Sequence, residues 1–349
     1  MGYDKKTGGF KSFGEFLVTV RKASFGQIQG DGRLEALIGK TMAEGTDSTG
    51  GFTVPEQFVP DVYHAALEGS IVRSRAITHS MTSDTVNIPV LVDSDRSSNI
   101  FGGITFTWAA EAADKAALTS DPVLGNLKLT AHEGIAGTWV SLNLESDVKG
   151  FEDFMKLAFG RAIRFYEDYY FIWGTGVNQP LGIMNSGFTA SLARRQANQI
   201  VWEDISGMVA RLLPGSWDTA VWLFNQSTLT QILSLDVVEN NVLNVVDINN
   251  RKLAGFPFIV TEKCAALGTS GDIILADWNN GYVIGDRSLE VAASRETTYS
   301  SNSYGFLQNQ AFWRFVLRVD GQTILSSTIT PKAGGDALSS FVILTDQTS

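Results

Sequence analysis

The side chains that most often perform metal or nucleophilic chemistry are scarce in this sequence and are not grouped. No two histidines lie at a spacing that would place both on one metal ion, and the metalloprotease pattern H-E-x-x-H does not occur. The single cysteine, Cys264, has no C-x-x-C partner, so a buried and inert thiol is expected. The histidines, which are expected to be surface or core residues, are His64, His79 and His132.

Two glycine-containing stretches resemble phosphate-binding loops but lack a required residue. Gly39–Thr41 matches the end of such a loop, yet Leu34 stands where its first glycine is required. Gly174–Gly176 follows a predicted helix rather than a strand, and Gln179 replaces the last glycine of a dinucleotide-binding motif. No G-x-S-x-G nucleophile elbow occurs. The sequence therefore predicts neither an enzyme nor a cofactor or metal site.

The composition favours a protein that buries much of its surface against neighbours. The chain has 349 residues, which is long for one core and suits two subdomains. Only 18% of residues are charged, whereas Gly (34), Phe (21) and Trp (8) are plentiful. A cytosolic β-rich protein that binds a ligand or acts on carbohydrate would also explain the aromatics and glycines. Such a protein should show paired catalytic groups, and the sequence contains no such pair.

The net charge of -10 argues against a dedicated DNA or RNA binder, which would carry a basic patch. It does not exclude a container whose inner wall faces nucleic acid. One cysteine allows no internal disulfide, which fits synthesis in a reducing compartment. There is no apolar run of about 18 residues that would span a membrane, and the N-terminus shows no signal-peptide pattern.

Residues 151–173 carry the strongest helix pattern in the chain. Apolar residues recur at three-and-four spacing in two stripes, so most of the circumference is expected to be covered. Arg164 and Asp168 lie one turn apart and are expected to pair on the remaining band, and Gly174 is expected to end the helix. The charged residues of that band are Arg161, Arg164, Glu167 and Asp168.

Shorter patterns predict the elements on either side of this helix. Residues 1–50 contain one short amphipathic helix at 13–23 and are expected to be stable only when they lie across something else. Strand alternation is strong at 85–92 and in a predicted strand pair, 127–131 with 135–142. Helices alternate with strands between 180 and 290, and strand patterns return in 290–349, ending at 341–344. The segment Ile329–Ser340 has no predicted role.

A long helix with an acidic pair, followed by G-x-G and P-x-G-I, resembles the major capsid proteins of tailed phages with the Hong Kong 97-type fold. Further, weaker matches to the family occur in the family's order along the chain, between Gly50 and Gly321. Among them are G-G-F-T-V-P at 50–55 and R-x-x-x-R-x-D-G at 314–321. Each motif is weak alone, but their joint order is hard to obtain by chance. The residues of the first match are Glu167, Asp168, Gly174, Gly176, Pro180, Gly182 and Ile183.

The resemblance implies an α+β, Hong Kong 97-like capsid fold with named parts. Residues 1–50 would be an N-terminal arm, 51–89 the first part of a peripheral domain and 90–125 an extended loop. Residues 126–179 would return to the peripheral domain, with a spine helix at 151–173. Residues 180–290 would form an axial domain, and 291–349 would be the C-terminal strands of the peripheral domain.

The same resemblance implies a structural role in the icosahedral shell of a virion. Pentamers and hexamers of the chain would assemble in the host cytoplasm and enclose double-stranded DNA without sequence-specific binding. Scaffolding protein, a portal and a decoration protein are the implied partners besides further copies, and no membrane is involved. An encapsulin-type nanocompartment, which holds protein cargo, and a gene-transfer-agent shell share the fold and are alternatives.

Several residues receive roles from the resemblance alone. Arg314 and Arg318 are expected to pair with carboxylates of a neighbour, and Gly160 is the candidate hinge of the spine. Lys115 is the one lysine of the predicted loop, and it would react if the chain formed the lysine–asparagine cross-link of some family members. Most members lack that reaction. The assembly residues implied are Trp108, Glu111, Lys115, Arg314 and Arg318.

Overall fold

A computed structural model describes most of the chain. The described residues are 10, 12–24, 34, 52–53, 69–96, 102–104, 108, 124–141, 148–238, 245–294, 298–300, 303–304 and 310–346. The chain divides into two compact units, each built from three separate segments. One unit comprises residues 1–74, 131–168 and 286–319, and the other comprises 75–130, 169–285 and 320–349.

The first helix, α1 (Phe13–Ser24), confirms the amphipathic pattern near the N-terminus. Its first turn is capped by Ser12, whose side chain accepts a hydrogen bond from the Glu15 amide at 3.1 Å. Phe16 is fully buried and meets Phe10 edge-on, with ring centroids 5.5 Å apart. The helix therefore contributes an apolar face to the protein, as the sequence predicts.

The long helix, α2 (Val148–Trp173), begins three residues before the predicted start and ends at the predicted residue. Met155, Phe159 and Ile163 form its buried face, and Phe159 stacks on Phe315 with centroids 3.7 Å apart. The sequence predicted that the apolar stripes would be covered and the charged band exposed. In the last three turns this is wrong, because large aromatic side chains are exposed while Glu167 and Asp168 are buried. The exposed residues are Phe165, Tyr166, Tyr169 and Tyr170.

One sheet of the described strands has the order β1-β12-β15-β5, and β2 also pairs with β12. The antiparallel pairing of β15 with β5 runs from Gln310 opposite Ser141 to Val319 opposite His132. The strands are β1 (Phe52–Thr53), β2 (Ile77–Ser80), β5 (His132–Ser141), β12 (Tyr282–Ser294) and β15 (Gln310–Thr323).

A two-stranded ribbon pairs β3 (Thr85–Leu91) with β4 (Leu124–Thr130) over seven residue pairs. The predicted pairing of residues 127–131 with 135–142 is therefore wrong, although both segments are strands. The reason is that only Ala131 separates β4 from β5, and a hairpin needs at least two loop residues. Of the ribbon's side chains, Leu127 and Leu129 are buried, and most of the others are partly or fully exposed.

A second, seven-stranded sheet has the order β6-β16-β11-β7-β10-β9-β8. Its buried members include all four residues of β7 and of β11. The helices α3 (Trp202–Ala210) and α4 (Leu229–Val238) accompany it, and Ile205, Met208 and Ile232 join its core. The strands are β6 (Ala190–Ala193), β7 (Val221–Phe224), β8 (Val246–Asp247), β9 (Lys252–Leu253), β10 (Phe256–Val260), β11 (Ile273–Ala276) and β16 (Phe341–Thr345).

The last strand belongs to the second sheet. Strand β16 pairs in parallel with β6 and antiparallel with β11, so it is an inner strand of that sheet. Its buried run Phe341–Leu344 fits that place, because inner strands are covered on both faces. The remaining elements are α5 (Trp278–Gly281), β13 (Thr298–Ser300) and β14 (Ser303–Tyr304). None of the described helices is long and apolar enough to cross a membrane.

Candidate assembly site around the end of the long helix

Asp168, near the end of α2, holds a preceding loop through three hydrogen bonds. Its carboxylate accepts from the Ser70 hydroxyl at 3.0 Å, the Ile71 amide at 2.9 Å and the Val72 amide at 3.0 Å. The side chain is completely buried. A buried carboxylate needs such donors, because an uncompensated charge in the interior is very costly. The predicted solvent-exposed pair of Arg164 with Asp168 is therefore wrong.

Its neighbour Glu167 is buried against Arg73 from the same loop. Arg73 donates from Nε to Glu167 Oε2 at 3.0 Å, and from Nη2 to Glu167 Oε1. The other side of the guanidinium binds Asp286 in β12, with Nη2 2.9 Å from Oδ1 and Nη1 2.6 Å from Oδ2. One arginine thus joins the loop, α2 and β12 by two bidentate contacts, the strongest geometry available to such pairs.

Burial and charge act against each other in this cluster. Burial alone would lower the pKa of Arg73, but the charges of Glu167 and Asp286 raise it well above its ordinary value. Burial raises the pKa of Glu167, and the nearby Arg73 guanidinium offsets only part of that effect. Among the residues that the structure describes, Arg73 is the counter-charge that contacts both Glu167 and Asp286.

The turn after α2 brings backbone segments so close together that it needs glycine at several positions. An added Cβ at Gly174 would lie 2.1 Å from the Pro180 carbonyl oxygen, and one at Gly182 would lie 2.5 Å from the Ile172 oxygen. The two glycines meet directly, with the Gly182 amide donating to the Gly174 oxygen at 2.9 Å. Gly176 adopts a φ of 78°, which favours glycine. Gly174 and Gly182 are therefore required by backbone contact, and Gly176 is favoured by its backbone conformation.

The D-G pair at the end of the R-x-x-x-R-x-D-G stretch also has a packing reason. Asp320 is buried and accepts from the Thr130 amide at 2.6 Å. An added Cβ at Gly321 would lie 2.5 Å from the hydroxyl of Tyr282 and 2.8 Å from the ring of Phe171. Burial, and then the charge of Asp320, raise the pKa of Tyr282, whose hydroxyl donates to the Leu181 carbonyl at 2.7 Å.

The residues predicted for assembly are not brought together into one site by the structure. Trp108 is 89% exposed, and Gly160 is buried at the middle of α2. Arg314 lies in β15 opposite Gly137 and is half-buried. Arg318 is paired within the chain, with Nη2 2.7 Å from Glu133 Oε1, so its predicted pairing with a neighbour stays a prediction. Glu111 and Lys115 lie outside the described residues.

The sequence did not reveal Arg73 or Asp286 as partners of the acidic pair. Arg73 lies 94 residues from Glu167 in the chain, so no local pattern links the two residues. Within the described parts of the chain, no three His, Cys, Asp or Glu side chains form a group that could hold a metal ion.

Comparison with known proteins gives a family. A model described as the phage capsid family matches residues 50–331, which is most of the chain. The chain belongs to the phage capsid family. Its role is accordingly that of a major capsid protein, a structural component of the virion rather than an enzyme. No curated protein matches the sequence.

Solved structures agree with this family in their fold. The capsid of a native GTA particle matches with a TM-score of 0.57 at 18% identity, over 81% of this chain and 90% of that chain. The structure of Mycobacterium phage Bobi matches with a TM-score of 0.54 at 16% identity, over 92% and 99%. That of Mycobacterium phage Cain gives 0.53 at 17% identity, over 81% and 92%. The mixed α+β chain thus has the Hong Kong 97-type fold, and capsid assembly implies self-association.

Proposed function

We propose that this major capsid protein tiles a closed icosahedral shell as pentamers and hexamers. Residues 180–290, with the second sheet, act as the axial domain around the capsomer centres. The peripheral domain contains α2 as the spine, and the arm (1–50) and extended loop (90–125) lie over adjacent subunits. The shell then gains stability from many weak contacts made at once.

The observation that carries this proposal is the β3/β4 ribbon. A two-stranded ribbon is marginally stable in water by itself, and most side chains of this one are exposed or half-exposed. Ile104 and Trp108, which follow within the predicted loop, are 54% and 89% exposed. A large tryptophan at such exposure is typical of a surface that a partner covers. A second copy of the chain is the partner that a shell supplies.

A deletion of residues 97–120 tests this assignment, because it removes the loop and leaves the ribbon in place. The shortened subunit is expected to fold with the circular dichroism of wild type but to form no closed shells. Trp108→Ala is expected to weaken shell closure in the same direction, since it removes one exposed anchor. Intact shells from the deletion would refute the role of the loop.

The proposed content is the double-stranded DNA genome of a tailed phage, held without sequence-specific binding. The likeness to a GTA capsid favours a gene-transfer-agent shell as the second candidate. Sequencing DNA from purified particles separates the two, because a phage packages its own genome whereas the other particle would hold host fragments. Particles with protein cargo and no DNA would support an encapsulin-type compartment. Scaffolding, portal and decoration proteins are proposed partners, to be sought by co-purification with shells.

A further inference from the structure

Residues 329–340, which had no predicted role, form a small hairpin between β15 and β16. Ile329 and Leu338 exchange both backbone hydrogen bonds, at 2.9 and 2.8 Å, and so close the loop at its base. At its tip Gly334 and Gly335 adopt φ values of 78° and 119°, which favour glycine. No other group lies within 4 Å of an added Cβ at either glycine. The tip is therefore free of packing contacts at these two positions, whereas the base is firmly bonded.

The two sides of this hairpin are bonded to different parts of the same compact unit. On one side the Thr330 amide donates to the Ser94 oxygen at 2.9 Å, and the Arg96 amide donates to the Thr330 oxygen at 3.0 Å. On the other side the Leu213 amide donates to the Ser339 oxygen at 2.9 Å, and the Ser339 amide donates to the Arg211 oxygen at 3.0 Å. The hairpin thus ties residues 94–96 to residues 211–213.

Residues 94–96 are the place where the chain leaves the ribbon toward the predicted extended loop. Strand β3 ends at Leu91, and Asp93 then turns back to pair with Arg96, with Oδ2 2.8 Å from Nη2. Asp93 is nearly buried, so this corner is a fixed feature. The hairpin therefore holds the chain at the first residues beyond the ribbon.

This end of the ribbon is not packed against the body of the unit on every side. A cleft of about 200 Å³ lies beside it, lined by Val90–Ser94 and Gly125–Leu127 from the ribbon, and by Gln322–Ser327 with Ser186 and Gly187 from the body of the unit. The two backbone hydrogen bonds to Thr330 are a direct restraint at the exit of the ribbon, beside the pair of Asp93 with Arg96.

We propose that residues 329–340 act as a brace that fixes the direction in which the extended loop leaves the subunit. This inference rests on the proposed function, in which the loop lies over a neighbouring copy. The direction of the loop then sets the angle between neighbours, so a fixed direction favours shells of one curvature. Without the brace, the subunit still folds and associates, but the chain at residues 94–96 is no longer held in one direction.

The test replaces residues 330–337 by Asn-Gly, which joins Ile329 to Leu338 through a two-residue hairpin turn. This variant keeps the backbone bonds of Ser339 and removes both bonds of Thr330, together with the ion pair of Asp336 with Arg211. Lys332→Ala, at the exposed tip, is the matched control because it removes no backbone bond. Should the replacement prevent folding, Thr330→Pro deletes only the amide that donates to Ser94. Each protein is assembled, and is examined by hydrogen-exchange mass spectrometry and by electron microscopy.

The brace predicts that amides of residues 90–96 exchange about tenfold faster in the replacement variant, since two hydrogen bonds are lost. Residues 211–213 and 341–345 should exchange as in wild type. Shells of the variant should vary in diameter, whereas wild type and Lys332→Ala should give one diameter. Unchanged exchange at 90–96, or uniform shells despite faster exchange, would overturn the brace. If wild type itself forms no shells, the proposed function fails, and the exchange rates still decide whether residues 94–96 are restrained.

Discussion

Arg73 and Glu167 form a two-point ion pair inside the protein, although 94 residues separate them in the chain. Replacing Arg73 by Ala leaves Glu167 and Asp286 without their counter-charge. We expect the free energy of unfolding to fall by about 3–5 kcal/mol, the cost of breaking a buried pair from one side. Chemical denaturation of the purified subunit measures it. Arg161→Ala, at an exposed position of the same helix, should change stability by less than about 0.5 kcal/mol. Equal stability of the two variants would contradict the role of Arg73.

Glu167 also predicts a dependence of stability on pH. Burial raises its pKa above the ordinary value of 4.5, despite the opposing effect of Arg73. The folded chain therefore binds this proton more tightly than the unfolded chain does. The folded state therefore becomes less stable as the pH rises from 4.5 through the raised pKa of Glu167.

Replacing Glu167 by Gln removes this titration. Across the window above pH 4.5, the wild type should lose stability relative to Glu167→Gln as the pH rises. Urea denaturation at a series of pH values gives the difference between the two proteins. If the wild type instead became more stable relative to Glu167→Gln as the pH rises, the pKa of Glu167 would not be raised in the folded protein.

The turn after α2 should not tolerate a side chain at Gly174. An alanine Cβ there would lie 2.1 Å from the Pro180 oxygen and 2.5 Å from the Tyr170 oxygen, and both are backbone atoms. We expect Gly174→Ala to cost at least about 3 kcal/mol or to prevent soluble expression. Gly215→Ala is the control, because no atom lies within 4 Å of the added Cβ. Thermal unfolding of both proteins measures the effect, and similar melting temperatures would show that the turn can relax.

Cys264 should be unreactive in the folded protein. The thiol is buried, and burial together with the charge of Asp272 raises its pKa to about 12. The nucleophile is the thiolate, so reaction with a maleimide near neutral pH should be very slow. In denaturant one label should attach per chain, since this is the single cysteine. Mass spectrometry counts the labels, and rapid labelling of native protein would show that the site is open.

The sequence predicts those elements whose signal is local. Helix α2, the short helix α1 and strand β3 appear where periodicity places them, because amphipathic spacing is a property of consecutive residues. The glycines around Gly174 were recognised as a motif, and the structure supplies their reason in backbone contact. Local pattern and turn chemistry thus account for the ends of the long helix.

Contacts between residues that are distant in the chain have no local sequence signal. Glu167 and Asp168 read as solvent-exposed because they are charged, yet Arg73 and the amides of residues 71 and 72 compensate them in the interior. Strand β16 looks like any apolar strand, and nothing in its own residues indicates that it pairs with β6 and β11. Pairing across such separations is set by the tertiary fold and not by the strand itself.

Electron microscopy with light scattering on the protein expressed alone shows whether this chain builds closed shells. We expect closed particles, or rings of five and six subunits that close when scaffold or a crowding agent is added. A monomer or dimer that stays unassembled under all these conditions would contradict this expectation.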